Sequence, residues 1–275
     1  MHDLSAAVRY EVRDGVARIS FDNPTKLNAL DLDGWRAIAA GLRRAAQETT
    51  APVVITGVGR AFCAGDDIAA LPALMADRVL AEAFFVDGLY SAFEAIVTHP
   101  MPVICAVNGL AFGGGLEMVA AADLAVAADN ATFGVPEGKL GVIAPVFTAL
   151  ATTHLGFKPA NAFAYRMATY TAEEARELGI VNEVVAPERL EQAVDAVIAD
   201  INAASPESIM ITKRMLATRA RDEALPRLKA GLRAVVHELL PSANAAEGAD
   251  AFFAKRPPQF ERRSATGRAS GELSS

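Results

Sequence analysis

Two runs, Val53-Val-Ile-Thr56 and Pro102-Val-Ile-Cys-Ala-Val107, carry almost no polar residue and so cannot alternate a wet face with a dry one. Strands that are apolar on both sides have to be covered on both sides, which calls for a sheet held between helices. The surrounding segments supply those helices. After strands over Val8–Val12 and Val16–Phe21, joined by an Asp14-Gly15 turn, Asp31 opens a helix that places Trp35, Ile38 and Leu42 on one face and runs to Gln47. A second strand-then-helix unit spans Val53 to His99, with its helix around Leu80 to Val97. The third runs from Pro102 through a glycine turn to a helix ending at Ala122.

Short strands follow at Asp123–Ala128 and Thr132-Phe133, just before Gly134-Val-Pro-Glu137. Thr171-Ala-Glu-Glu174 has the form of a capping box, with Gly179 as the helix stop, and Val181–Val185 reads as one more strand. Beyond Pro187 the pattern is helical to about Lys255, with breaks expected at Ser205-Pro206 and Leu225-Pro226. Strand material is thus confined to the first two thirds. The reading is an α/β fold with a helical C-terminal region.

With 275 residues, 52% of them apolar, the chain can bury a large core. Cys63 and Cys105 lack metal-ligand spacing and the four histidines are scattered, so neither a disulfide scaffold nor a metal site is expected. His154 reads as a structural histidine. A net charge of −7 argues against non-specific nucleic-acid binding. There is no basic-then-apolar leader and no apolar run of bilayer length, so a soluble, cytoplasmic protein is expected, without a membrane partner. The small polar residues from about 261 to 275 read as a disordered tail.

The chemistry concentrates in Leu110-Ala-Phe-Gly-Gly-Gly-Leu-Glu117. Three glycines let a ligand oxygen approach unshielded backbone N–H groups, and the positive end of the following helix favours an anion there. The same letters could serve only close packing of helix on strand. A second segment, Gly59-Arg-Ala-Phe-Cys-Ala-Gly-Asp-Asp-Ile68, sits where the Val53–Thr56 strand ends in a loop, a place where ligands collect in α/β sheets.

These two segments, with Pro136-Glu137, Phe21-Asp-Asn-Pro-Thr-Lys-Leu-Asn-Ala-Leu30 and Phe252-Phe-Ala-Lys-Arg-Pro-Pro258, resemble the crotonase superfamily of enoyl-CoA hydratases and isomerases, in an order that spans most of the chain. The resemblance implies a crotonase-like ββα spiral core over residues 1–200. It also implies a helical oligomerisation region over 201–260 and assembly into a homotrimer or homohexamer. It places the two oxyanion-hole amides at Asp66 and Gly114, and the two acids of a hydratase at Glu117 and Glu137. Glu137 would exchange a proton with the α-carbon while Glu117 polarises water. Coenzyme A, part of the substrate rather than a cofactor, would lie along Lys26, Ala29, Ala64, Asp66, Asp67, Ile68 and Gly114, with Lys255-Arg256 within reach of its nucleotide.

The implied activity is a lyase that adds water reversibly across the 2,3 double bond of an acyl-CoA thioester. Enoyl-CoA δ-isomerase, acyl-CoA hydrolase and a non-catalytic acyl-CoA-binding protein are the alternatives. Two departures stand out. Asp66 puts a carboxyl where the family often has a small or apolar residue, and Gly141-Val-Ile-Ala-Pro-Val-Phe-Thr148 replaces a glycine-rich turn with bulkier Val146 and Phe147 that could reshape the acyl pocket. Met118 and the Phe84-Phe85 pair read as core. The plain alternatives for the two acids are a helix-surface ion pair for Glu117 and a turn role for Glu137.

Overall fold

The computed structural model describes residues 2–262, without the side chains of residues 2 and 152–154, so the expected tail beyond 262 and the His154 side chain lie outside the described residues. Its strands are β1 (His2–Ser5), β2 (Val8–Arg13), β3 (Val16–Phe21), β4 (Val53–Gly57), β5 (Ala61–Cys63), β6 (Val103–Val107), β7 (Leu110–Phe112), β8 (Leu124–Ala128), β9 (Thr132–Gly134), β10 (Tyr170–Thr171) and β11 (Glu183–Val185). They form two sheets, ordered β1-β2-β3-β4-β6-β8-β11 and β10-β9-β7-β5. From β3 to β11 the large sheet is parallel, and its β1-β2-β3 edge is antiparallel.

The apolar runs are explained by this arrangement. Val53 and Ile55 of β4, Val103, Cys105 and Val107 of β6, and Ala125 and Ala127 of β8 face one hydrophobic cluster. The residues between them, Val54, Ile104, Ala106 and Val126, face a second cluster completed by Leu190, Val194 and Ile198 of the helix Leu190–Asn202. A period of two with apolar groups at both phases is the pattern of a sheet buried on both faces.

Each of β4, β6 and β8 is followed at once by a short strand of the small sheet, β5, β7 or β9, and then by helical chain, so a ββα unit repeats three times. The expected helix over Leu32–Gln47 is present as Leu32–Glu48, with the Asp31 carboxylate accepting the Gly34 N–H and Trp35, Ile38 and Leu42 fully buried. The Thr171 capping box is complete in both directions.

Other expectations are revised. Ala61–Cys63 and Leu110–Phe112, read as loop and turn, are strands, because each pairs with a neighbour that spacing along the chain cannot reveal. The helix expected around Leu80 to Val97 starts at Arg78, capped by the Asp77 carboxylate. It reaches Thr98 through wide π turns over Ala83–Tyr90. Ser205-Pro206 does begin a new helix, Pro206–Leu216. At Leu225-Pro226 the helix continues, since widened turns over Ala220–Ala224 take up the ring that would otherwise strike the preceding turn.

Candidate active site

Strands β9, β7 and β5 lie side by side in the small sheet, β5, β7 and β9 being parallel. Their carboxyl ends therefore open at one edge. Ala64-Gly65-Asp66 leaves β5, Gly113-Gly-Gly115 leaves β7, and Val135-Pro-Glu137 leaves β9. Segments separated by dozens of residues are brought together because each ends one strand of a parallel set, the usual place for a ligand in such sheets.

Each glycine of the triplet has its own steric reason. Gly113 has φ 53° and ψ −128°, open only to glycine, and a Cβ there would stand 2.8 Å from the Glu137 Oε1. A Cβ on Gly114 would press on the Trp35 ring at 2.8 Å, and one on Gly115 would overlap the Cys63 carbonyl oxygen at 2.1 Å. Gly65, at φ +87°, brings its backbone against the triplet, for a Cβ there would meet the Gly114 nitrogen at 2.8 Å.

Two amides at this contact have no backbone acceptor among the described residues. The Leu30 N–H donates to the Gly65 carbonyl and the Asp67 N–H to the Leu30 carbonyl, so the parallel bridge Leu30–Asp66 directs the Asp66 N–H away from Leu30. Gly114 is the first residue of the helix Gly114–Ala121, where an N–H has no intrahelical acceptor. An oxygen gaining negative charge beside such donors meets fixed dipoles that need no reorganisation. The strap that carries Lys26 and Ala29 holds this loop in place. Ala64 donates to the Leu27 carbonyl, and the buried Asn28 side chain donates to the carbonyls of Val58, Ala61 and Phe62.

A cavity opens at this edge, lined by Ala64, Asp66, Asp67 and Ile68, by Gly113 and Glu117, and by Glu137. Its remaining wall is apolar, from Leu71, Leu74, Phe85, Leu140, Val142, Ile143, Pro145, Val235 and Leu240. Four acidic residues thus line one largely apolar space, Asp67 being paired with Lys26. Glu117 is 2% exposed, and its Oε1 accepts the Phe147 N–H at 2.8 Å. Burial pushes its carboxyl well above the usual carboxylate range and the nearby Glu137 charge adds to that, while the N–H groups of Phe147 and Val146 work against it. Burial likewise raises Glu137, whose Oε2 is sealed from solvent and has no hydrogen-bond partner among the described residues. Asp66 is pushed up to about 6 by burial, opposed by the hydrogen bond that Trp35 Nε1 donates to its Oδ1 at 2.8 Å. Acids of raised pKa that sense one another can hold a proton near neutral pH and pass it on.

Of the residues singled out from sequence, the structure brings Ala64, Asp66, Asp67, Ile68, Glu117 and Glu137 to the cavity, with Gly114 behind its wall. Lys26 and Ala29 flank it without lining it. The Lys26 ammonium is occupied by the Asp67 carboxylate at 2.6 Å. Arg256 is paired with Glu247. The surface ion pair considered for Glu117 is excluded by its burial.

Met118, Phe84 and Phe85 are core as expected, and Phe85 also lines the cavity. Val146 and Phe147, expected to reshape the pocket, are fully buried behind it, and Val142, Ile143 and Pro145 form the wall instead. Sequence reasoning missed the Trp35–Asp66 contact and the wall residues Val235 and Leu240. For Trp35 the one available signal was its being the only tryptophan of the chain, set on a core face.

A ββα repeat with a glycine-triplet turn against a second backbone loop is the architecture of the crotonase superfamily, and the solved structures agree. A carnitinyl-CoA hydratase from Mycobacterium avium superposes with a TM-score of 0.80 at 33% identity, covering 93% of this chain and 98% of that one. The chain belongs to the enoyl-CoA hydratase/isomerase family, whose model matches residues 11–263. It is 33% identical over 259 residues to a probable enoyl-CoA hydratase of Rhodobacter capsulatus, covering 93% of this chain and 98% of the relative. It is 30% identical over 267 residues to a carnitinyl-CoA dehydratase of Proteus mirabilis, covering 94% and 100%.

Proposed function

We propose that this protein is an enoyl-CoA hydratase, a lyase that adds water reversibly across the 2,3 double bond of an acyl-CoA thioester. The observation that carries the reading is the pairing of two carboxyls of raised pKa, buried Glu117 and half-buried Glu137, in one cavity beside the Asp66 and Gly114 amides. In this reading the thioester oxygen lies at the two N–H groups. Water adds its oxygen to the β-carbon and gives up a proton to Glu117, while protonated Glu137 delivers one to the α-carbon, and a proton transfer between the acids restores the start. The unpartnered Glu137 Oε2 suits the group that moves the α-proton.

Coenzyme A enters as part of the substrate, with no separate cofactor in the proposed reaction. Ala64, Asp67 and Ile68 would flank its pantetheine, and Lys26 would exchange Asp67 for a phosphate. A homotrimer or homohexamer is proposed, supported by Met210, Ile211, Met215 and Leu216, which the helix Pro206–Leu216 leaves partly exposed.

One observation favours a second reading. Glu117 is committed to the amides of Val146 and Phe147, which leaves Glu137 as the freer acid, and one acid with an oxyanion site suffices to move a double bond. A panel of 2-enoyl-CoAs and 3-enoyl-CoAs, followed by mass spectrometry for the gain of water and by conjugated-thioester absorbance for a moved double bond, separates the two. Gain of one water from a 2-enoyl-CoA is the expected result, and rearrangement of 3-enoyl-CoAs without that gain would establish the isomerase instead.

A further inference from the structure

An acid directly after the oxyanion-loop glycine poses a problem. Ionised and free to swing, the Asp66 carboxyl would oppose negative charge on the very oxygen that its own N–H is proposed to stabilise. The fold attaches it elsewhere. Its Oδ1 accepts the Trp35 Nε1–H at 2.8 Å, and Trp35 is fully buried on the helix Leu32–Glu48, outside the cavity wall. The same indole backs the other donor, since its Cζ2 and Cη2 would stand 2.8 and 3.0 Å from a Cβ on Gly114. The ring is itself fixed by Phe93, with centroids 5.5 Å apart, and by Gly88, where a Cβ would meet the Trp35 Cβ at 3.3 Å.

We propose that Trp35 is a positioning residue for the oxyanion site, its N–H anchoring the Asp66 carboxyl and its ring edge setting the depth of Gly114. One side chain from the first helix thereby holds both donor-bearing loops in register and keeps a pocket acid from following the substrate oxygen. Trp35 touches no reacting atom. The inference rests on the oxyanion reading of Asp66 and Gly114, and it holds whether the reaction is hydration or isomerisation.

The test uses acetoacetyl-CoA, whose enolate absorbs in the near ultraviolet and reports the oxyanion site without turnover. The full-length protein is expected to raise the enolate fraction of the bound ligand. Trp35→Phe, which removes the N–H and withdraws the ring edge from Gly114, is expected to lower the bound-enolate equilibrium about tenfold with total affinity within about twofold. With a 2-enoyl-CoA it should lower kcat and leave KM nearly unchanged. Adding Asp66→Ala to Trp35→Phe is expected to recover about threefold of the lost enolate and no more, because the loosened charge is gone while the Gly114 contact is still missing.

An unchanged enolate equilibrium in Trp35→Phe, or no recovery in the double variant, would overturn the proposal. Should Trp35→Phe not fold, Phe93→Leu decides, since it loosens the packing of the indole without touching either donor loop. It should lower the bound-enolate equilibrium several-fold, and an unchanged equilibrium sinks the idea. Enolisation without hydration of any 2-enoyl-CoA would refute the hydratase reading alone, whereas a parent protein that does not enolise acetoacetyl-CoA refutes both.

Discussion

Glu137 and Gly115 show how differently two residues of one site can be constrained. The Glu137 carboxyl is held in the cavity with a sealed Oε2 that has no partner among the described residues, an arrangement that costs stability and suits the proton transfer proposed for it. Glu137→Gln should reduce hydration at least about a hundredfold while the melting temperature stays level or rises, followed by loss of the conjugated-thioester absorbance. Gly115 answers to sterics alone, with the Cys63 carbonyl 2.1 Å from where a Cβ would be. Gly115→Ala should destabilise by about 3 kcal/mol or more in urea titrations, beyond what loss of flexibility explains. For Asp66 the sign of the pH effect is fixed. Its pKa is raised from 3.8 to about 6 on folding, so the folded state binds the proton more tightly and stability falls as pH rises between those values. Asp66→Asn lacks this loss, and its stability advantage should grow from pH 4 to about 2 kcal/mol by pH 7 in paired melts, screening included.

At the scale of elements, Glu117 does more than line the cavity. Its carboxylate accepts the Phe147 N–H in the first turn of the helix Pro145–His154, joining the helix after the glycine triplet to the one that closes the cavity. Glu117→Ala should therefore both lower activity and cost about 1–3 kcal/mol, with faster hydrogen exchange at the Phe147 amide. Glu117→Gln keeps an acceptor and should recover the exchange protection without the activity. Elements were legible in proportion to their length. The helix after Asp31 announced itself through its cap and its buried face, and the Thr171 box through its spacing. β5 and β7 did not, because three residues between glycine turns are too short to show a period of two, and their strand character comes from each other. The break expected at Pro226 failed for a related reason. A proline forbids a normal turn, but a helix can widen before it when packing on both sides keeps the axis in place, as Leu225 and Leu228 do here.

Across the whole molecule, the C-terminal helices are tied to the core from which the site is built. Lys213, 5% exposed, donates to Asp123 Oδ2 at 2.6 Å and to the Met101 carbonyl at 3.0 Å, where the chain enters β6 and β8. Lys213→Ala should cost about 3 kcal/mol, and Lys213→Met less, since methionine refills the space although Asp123 loses the ammonium and keeps only the Val103 N–H of the two bonds. One hydrophobic cluster runs from Val8 to Ala249, and Val235 and Leu240 reach the cavity wall, so the cavity is shared between the ββα repeat and the last helices.

The local requirements were present in the letters. Strands apolar at both phases demanded a sheet with two covered faces, glycines marked where backbone must touch backbone, and caps set where helices begin, because each of these follows from a residue and its near neighbours in the chain. The family pattern also carried Glu117 and Glu137. What the tertiary structure alone decided is that these acids share a desolvated cavity with Asp66, and that Trp35, 31 residues earlier, holds Asp66. A carboxyl's proton affinity depends on burial and on charges in space, and neither is a function of spacing along the chain.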